Sequence, residues 1–300
     1  MKPSLLSILF FLFAFHLFSQ EEITEKEIYG HIHFLTSEKL AGRYPGTKAN
    51  DSVVVYIFND FTANGITVLQ QEFEAMMRKD SSTVKTFNVI GLIKGNDPIL
   101  KDEFIVLGAH YDHLGKSGDS IYYGADDNAS GTASLLEIGE KLSLNKEKLK
   151  RSMILIAFGA EEQGLLGSKF FVENPLFPLE RIKMMINLDM VGRLNEQQQI
   201  FMGGAGTFPY GVELMKSLGK RSNLNPVVHV GSVGGSDHVS FYKKKISVLG
   251  LHTGGHPQYH QTTDTLDLIN LKGQVKVSNY VYDTIVALSN FEELFFIYQK

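Results

Sequence analysis

The segment from Gly108 to Gly131 places the strongest constraint on the fold of this chain. An apolar run, Phe104 to Leu107, leads into it, and His110 and Asp112 follow directly. Residues 124–131 read GADDNASG, which brackets a pair of aspartates between glycines. A continuous apolar run is typical of a strand buried on both faces of a sheet. Imidazole and carboxylate groups at the end of such a strand indicate a metal site.

Two further apolar runs end in the same way, because residues 152–158 lead to Glu161 and Glu162 and residues 184–188 lead to Asp189. Segments with helical spacing alternate with the apolar runs. The alternation predicts an α/β fold, with three layers (α/β/α) around a central, mostly parallel mixed sheet. Helices are predicted at 22–41, 47–64, 129–144, 165–172, 208–222 and 270–298 (the last with or without a break), and strands at 66–74, 84–94, 103–110, 152–158, 184–189, 226–230 and 246–251.

The length and composition are those of an ordinary globular protein. The chain has 300 residues, of which 43% are apolar, and this is sufficient for a large core. No repeat, low-complexity stretch or linker interrupts it, so we predict a single domain over residues 20–300. The net charge of -4, without a long basic run, argues against a nucleic-acid partner.

The first 19 residues predict a secretory signal. Lys2 precedes the apolar run Leu5–Phe18, and Ser19 is a small residue at the expected cleavage position. The run is shorter than the roughly 20 residues that span a bilayer, so an uncleaved anchor is the less favoured alternative. The sequence therefore predicts export to the periplasm or the medium, with no membrane attachment after cleavage.

The chain contains no cysteine, so an exported form has no disulfides. Any zinc ligands must be histidine, aspartate or glutamate, which favours a catalytic site over a structural one. Acids and histidines at strand ends or in loops provide the candidate metal ligands: His110, Asp127, Glu162, Asp189 and His260. Four terminal ligands and one bridging carboxylate suit two zinc ions that share a water, with no other cofactor.

The remaining acids near these positions suggest supporting roles. Glu161 and Glu162 are adjacent and cannot point identically, so one can bind metal while the other faces the water. Asp112 lies two residues after His110, and in a continuing strand both side chains point the same way. Asp112 can therefore orient the imidazole. We expect His113 to be structural or to support a ligand, and His31 and His33 to be ordinary helix residues.

At these residues the sequence resembles the co-catalytic zinc aminopeptidases, a metallopeptidase family whose relatives include glutamate carboxypeptidase, glutaminyl cyclase and the transferrin receptor ectodomain. The resemblance covers nearly the whole mature chain, although the protease-associated insert of many relatives is missing. The segment LAGRYPGT (40–47) also looks like the family. Six motifs carry the resemblance: HYDHLG (110–115), GADDNASG (124–131), AEEQGLLGS (160–168), NLDMVGR (187–193), GSDH (235–238) and YHQTTDT (259–265).

The resemblance implies a role for each residue. It assigns His110, Asp127 and Asp189 to the first metal, and Asp127, Glu162 and His260 to the second. Asp127 rather than Asp126 is then the bridge, Glu161 the general base and Asp112 the orienting carboxylate. It also implies a cis peptide bond between Asp127 and Asn128. One branch of the family has an oxyanion-binding tyrosine before its SDH motif, but residues 231–235 contain none, which leaves Tyr259 and Tyr111 as candidates.

We therefore predict an exported dizinc exopeptidase, an aminopeptidase that acts on peptides with a free N-terminus. One alternative is a glutaminyl cyclase, which would use one metal without attack by water. A second is a carboxypeptidase, for which Arg193 could bind the substrate carboxylate. A third is a receptor-like domain that has lost the chemistry, although none of the expected ligands is missing.

Overall fold

The computed structural model describes residues 22–231 and 234–298. The predicted signal segment, residues 1–19, lies outside the described residues. Within the described ranges, no helix combines the length and hydropathy needed to cross a membrane. The helices are α1 Glu25–Leu35, α2 Lys48–Ala63, α3 Gly131–Leu144, α4 Leu166–Glu173, α5 Gly211–Arg221, α6 His238–Lys243 and α7 Leu271–Ser289; the strands are β1 Thr67–Met76, β2 Thr83–Ile93, β3 Phe104–His110, β4 Lys116–Ser117, β5 Ser120–Ile121, β6 Ser152–Phe158, β7 Ile182–Leu188, β8 Gln199–Gly203, β9 Asn225–Val228 and β10 Ser247–His252.

The main sheet has eight strands among the described residues, in the order β1-β2-β6-β3-β7-β10-β8-β9. Its centre is parallel, because β3 pairs in parallel with β6 and β7, and β7 with β10. The β8–β9 pair is also parallel, whereas β1–β2, β2–β6 and β10–β8 are antiparallel. The short strands β4 and β5 form a separate hairpin. The predicted mostly parallel mixed sheet is thus confirmed.

The central strands bury both faces, as their continuous apolar runs predicted. On β3, Ile105 and Leu107 belong to the core beneath α1, α2, α3 and α7, whereas Val106 belongs to the core on the opposite face. The second core contains Phe171 of α4 and Phe241 of α6. This alternation follows from the two-residue period of a strand. The result is the predicted three-layer α/β/α arrangement.

Several predicted elements were wrong in extent, and four short helices and strands of the described residues were missed. The helix predicted at 22–41 ends at Leu35, after which Thr36 caps it and a short 3-10 turn follows. The closing helix stops at Ser289, and the chain beyond it packs against the 3-10 turn after β8, where Ile297 N–H donates to the Thr207 carbonyl at 2.8 Å. The strands β4, β5 and β8 and the helix α6 were not predicted, because each is too short for its periodicity to stand out.

Candidate metal centre

The carboxyl ends of the three central strands bring the predicted acids and histidines together. β3 ends at His110, β6 leads to Glu161 and Glu162, and β7 leads directly to Asp189. Because β3 lies between β6 and β7, its end is next to both. Asp127 comes from the irregular turn between β5 and α3, which contains the cis peptide bond Asp127–Asn128 that the resemblance implied.

The first group of ligand atoms consists of His110, Asp127 and Asp189. His110 Nε2 is 3.4 Å from Asp127 Oδ1 and 3.6 Å from Asp189 Oδ1. One ligand atom from each residue lies within 4.8 Å of the others, which is close enough to hold one cation. His110 and Asp127 are buried, and Asp189 is partly open to the cavity above the site.

The second group forms on the other oxygen of Asp127. His260 Nε2 is 3.1 Å from Asp127 Oδ2 and 3.2 Å from Glu162 Oε2. Asp127 thus presents Oδ1 to one group and Oδ2 to the other, which is the arrangement required of a bridging ligand.

His113 is an additional histidine at the second group. Its Nδ1 is 2.8 Å from Glu162 Oε1 and 4.0 Å from Asp127 Oδ2, so by distance alone it could also serve as a ligand with these two carboxylates. The ring is fully buried and donates to Oε1, whereas His260 faces Oε2. The geometry therefore fits a supporting role for His113 and leaves Glu162 Oε2 and His260 for the metal.

The charges at the centre fit a divalent cation. Burial would raise the pKa of Asp127, but its contacts with His110 and His260 outweigh burial and lower it. The same contacts, with Asp127 and Glu162, raise the pKa of His260 to about 10. Without a metal, protonated imidazoles thus neutralise the negative charge of the carboxylates. A bound cation would neutralise that charge instead, and the imidazoles would then release their protons. Asp127 Oδ2 is buried and makes no hydrogen bond of good geometry with any described residue, as expected for an atom that faces a metal.

Glu161 stands apart from both ligand groups. Its Oε2 is 3.9 Å from His110 Nε2, and its side chain is mostly buried. Burial raises its pKa well above the usual value, and the negative charges of Asp237, Asp189 and Glu162 add to the effect. A carboxylate that takes up a proton readily and is not needed as a ligand can act as a general base.

Asp112 has a second role that sequence reasoning missed. His110 Nδ1 donates to the backbone carbonyl of Asp112 at 3.3 Å, whereas the Asp112 carboxylate, to which the sequence assigned the orienting role, has its Oδ1 3.8 Å from that nitrogen and makes no hydrogen bond to it. The carboxylate instead accepts hydrogen bonds from the backbone N–H groups of Glu161 at 2.9 Å and Glu162 at 3.3 Å. The group is fully buried, and burial raises its pKa to about 6. Asp112 therefore fixes the positions of both glutamates as well as standing beside the imidazole.

A buried network holds the turn that carries Asp127. Asp264 Oδ2 accepts the backbone N–H groups of Asp126 and Asp127, both at 3.0 Å. Asp126 belongs to neither ligand group; its carboxylate accepts Gly192 N–H at 2.7 Å and contacts His256 Nε2 at 3.1 Å. Arg193 donates to Asp264 Oδ1 at 2.7 Å and to Gln258. Both terminal nitrogens of the guanidinium are thus paired, its Nε is buried 4.0 Å from Asp126 Oδ2, and Arg193 is not among the described residues that line the cavity, so the geometry gives no support to a carboxylate-binding role for it.

Arg43, in the LAGRYPGT segment, was recognised only as part of a motif. Its buried guanidinium donates to five backbone carbonyls, which belong to Leu35, Tyr111, Tyr123, Gly124 and Asp127, at 2.5–3.3 Å. These carbonyls flank the segments that carry Asp112 and Asp127. Desolvation lowers the pKa of Arg43 to about 10, against the raising effect of nearby carboxylates.

The two candidate tyrosines separate clearly. Tyr111 is buried, and its hydroxyl donates to the Phe87 carbonyl at 2.8 Å, so it belongs to the core. Tyr259 stacks on His260 with ring centroids 3.9 Å apart and is about half exposed at 48%. Tyr259 therefore remains as the tyrosine next to the site.

A cavity of about 640 Å³ opens over the centre. The ligand residues and Glu161 lie at one side of it, and apolar side chains and glycines form much of the rest. Additional residues on its wall include Met190, Phe201, Met202, Leu251, His252, His256 and Tyr259. Such a cavity can hold a short segment of a substrate beside the metal ligands.

Comparison with known proteins gives similarities in sequence and in fold. Aminopeptidase Y of Saccharomyces cerevisiae is 32% identical over 213 residues, which cover 65% of this chain and 37% of that protein. Aminopeptidase YwaD of Bacillus subtilis is 32% identical over 213 residues, 67% of this chain and 45% of that protein. The chain thus spans less than half the length of these relatives.

Solved structures show the same fold. The aminopeptidase from Aneurinibacillus sp. strain AM-1 aligns with a TM-score of 0.75 at 20% identity and covers 94% of this chain and 98% of its own. Glutaminyl cyclase from Porphyromonas gingivalis aligns with a TM-score of 0.72 at 20% identity and covers 87% and 97%. At this level of identity, both similarities support the fold alone.

The sequence profile of Peptidase family M28 matches residues 88–285, about two thirds of the chain. The matched range contains His110, Asp127, Glu162, Asp189 and His260. It therefore confirms the resemblance to co-catalytic zinc aminopeptidases that the motifs indicated, and the chain belongs to Peptidase family M28.

Proposed function

We propose that this chain is an exported aminopeptidase that hydrolyses the first peptide bond of peptides with a free N-terminus, using two zinc ions. One observation carries the proposal: Asp127 presents its two oxygens to two separate ligand groups, while Glu161 lies outside both. A single-metal site would need no shared carboxylate. Membership of a peptidase family and the similarity to named aminopeptidases support the same conclusion.

The proposed ligands are His110, Asp127 and Asp189 for one ion, and Asp127, Glu162 and His260 for the other. Two zinc ions, when bound, would polarise the scissile carbonyl and lower the pKa of a water. Glu161 takes the proton from the attacking water and delivers it to the leaving amine, which its raised pKa favours. Asp112 holds the backbone of both glutamates, so that the base and the ligand keep their relative positions.

A glutaminyl cyclase is the second candidate, because the enzyme from Porphyromonas gingivalis shows that the same fold can carry that activity. Such an enzyme would act on an N-terminal glutamine without releasing it. The shared carboxylate and the second ligand group favour the aminopeptidase, because cyclisation does not consume water. The carboxypeptidase has no comparable support, since Arg193 is paired with Asp264 and Gln258.

The two proposals separate in an assay with three peptides: one with a free apolar N-terminus, the same peptide acetylated, and one that begins with glutamine. The aminopeptidase should release the first amino acid from the free peptides only, and chelation should abolish the release. A cyclase would instead yield the pyroglutamyl peptide from the third substrate, and release from the acetylated peptide would contradict both.

The adjacent glutamates provide a matched pair of variants. Glu161→Gln should retain the zinc content of the parent enzyme and lose kcat by about 10²–10⁴-fold, the usual contribution of a general base. Glu162→Gln should lose zinc as well as activity. Near-normal turnover in Glu161→Gln, with metal bound, would refute the assignment.

A further inference from the structure

His252 is a cavity residue to which the proposed mechanism gives no role. It is the last residue of β10, and its ring stacks on Phe201 of β8, with centroids 5.4 Å apart and an interplanar angle of 18°. The two residues are direct partners in the antiparallel β10–β8 register. Together they form an aromatic part of the cavity wall.

The neighbouring strand places this wall beside the metal ligands. In the parallel β10–β7 register, Leu251 pairs with Leu188, and Asp189 N–H donates to the Leu251 carbonyl at 3.1 Å. One residue further along each of the two strands, His252 and Asp189 are neighbours, and their backbones are about one strand spacing (~4.8 Å) apart. A group bound against the His252 ring is therefore next to the first ligand group.

The hydrogen bonding of His252 determines what its ring offers. Its Nδ1 accepts the backbone N–H of Gly254 at 3.1 Å, so in the neutral ring the proton is on Nε2. Gly254 has φ +115°, a conformation suited to glycine, which turns the chain back toward the ring. His252 is exposed and lies on the cavity wall, so its Nε2 can be reached by a bound substrate. The ring thus presents one fixed donor, Nε2–H, for which the structure shows no partner among the described residues.

Resting on the proposed aminopeptidase activity, we propose that His252 selects an N-terminal asparagine or glutamine by donating Nε2–H to the carbonyl oxygen of that side chain. When the amine and scissile carbonyl lie at the metals, the side chain of the first residue is the part left to fill the neighbouring wall. The flat amide can lie on the Phe201–His252 stack. An apolar side chain would cover the donor and leave it unpaired.

Charge distinguishes amides from the other polar side chains. Among the described residues on the cavity wall there is no lysine or arginine to pair with a substrate carboxylate. Of the groups that act on His252, Asp126 is paired with His256, Asp189 would be neutralised by zinc in the loaded enzyme, and His229 is an imidazole, so none supplies a fixed cation for an acidic side chain. An N-terminal lysine offers only donors, which cannot pair with Nε2–H. A neutral acceptor oxygen is the group that fits.

The test compares kcat/KM for release of the first residue from Asn-Ala, Gln-Ala and Leu-Ala by the zinc-loaded enzyme. The parent enzyme should prefer Asn-Ala and Gln-Ala over Leu-Ala. His252→Phe keeps a ring to stack on Phe201 but has no donor, and it should lower the amide-to-leucine ratio about tenfold. His252→Gln restores a donor and should recover part of the ratio. His33→Phe, the same change in the stacked pair with Tyr29 on α1, should leave it unchanged.

Each outcome decides between the hypotheses. An unchanged ratio in His252→Phe, or a parent enzyme that prefers leucine, would overturn the role of His252. An equal fall of kcat/KM on all three substrates would also overturn it, because the ring would then act on the reacting carbonyl or on the fold. If the parent enzyme releases no amino acid from any dipeptide, the aminopeptidase proposal itself fails.

Discussion

The substitution Arg43→Lys tests whether one buried side chain outside the ligand set organises the metal centre. Arg43 donates five hydrogen bonds to backbone carbonyls, whereas a lysine has three donors and no rigid fork. At least two buried carbonyls therefore lose their donor. At about 1–3 kcal/mol for each unsatisfied group, the variant should lose about 2–6 kcal/mol of unfolding free energy. At about 2–4 °C per kcal/mol, the melting temperature should fall by about 4–24 °C.

The metal affinity should fall as well, because two of the five acceptors belong to Tyr111, next to His110, and to Asp127, the proposed bridge. Loss of supporting contacts around a metal site typically costs 10–100-fold in affinity. Zinc titration of the metal-free enzyme, followed by calorimetry and by the melting temperature, measures both effects.

Arg151→Lys is the matched control for this experiment. Arg151 is buried and donates to Glu103 and to carbonyls at the end of α7, away from the centre. It should be destabilised by a similar amount without losing zinc affinity. The reasoning is refuted if Arg43→Lys melts within about 2 °C of the parent and binds zinc within threefold of it, or if both variants lose zinc affinity equally.

Two further predictions concern stability. Removal of zinc by a chelator should lower the melting temperature, and adding zinc back should restore it. Zinc at 100 times its Kd stabilises the folded state by about 2.7 kcal/mol. A melting temperature that does not change with zinc would contradict the proposed zinc site. Glu137 is buried against His31 at 2.8 Å, and burial raises its pKa above 4.5, so the folded state holds the proton more tightly than the unfolded state. The unfolding free energy of the parent should therefore fall, relative to Glu137→Gln, as pH rises from about 4.5 through the raised pKa. Urea titrations at several pH values measure the difference, and a pH-independent difference would be inconsistent with it.

The sequence predicted the central part of the fold well, because the signals there are local. The runs at 104–107, 152–158 and 184–188 are apolar at every position, and only a strand covered on both faces buries all of them. The acids that follow these strands then had to meet at one edge of the sheet. The same argument could not find β8 or α6, whose patterns are too short.

Partners far apart in the sequence were decided by the tertiary structure alone. Nothing local shows that Arg43 meets the carbonyl of Asp127, that Asp112 holds the backbone of Glu161, or that Arg193 is paired with Asp264. His31 seemed an ordinary helix residue, yet it joins three helices through Tyr56 and Glu137.

By itself, then, the sequence determined which strands are buried, where they end and which ligand types stand there, since hydrophobic period and residue chemistry are properties of short segments. Only the tertiary structure decided that Asp127 faces two ligand groups, that Tyr111 lies in the core and that His252 points a donor along the cavity wall. These depend on the relative placement of segments that are distant along the chain. That placement is set by the packing of the whole sheet against its two helical layers.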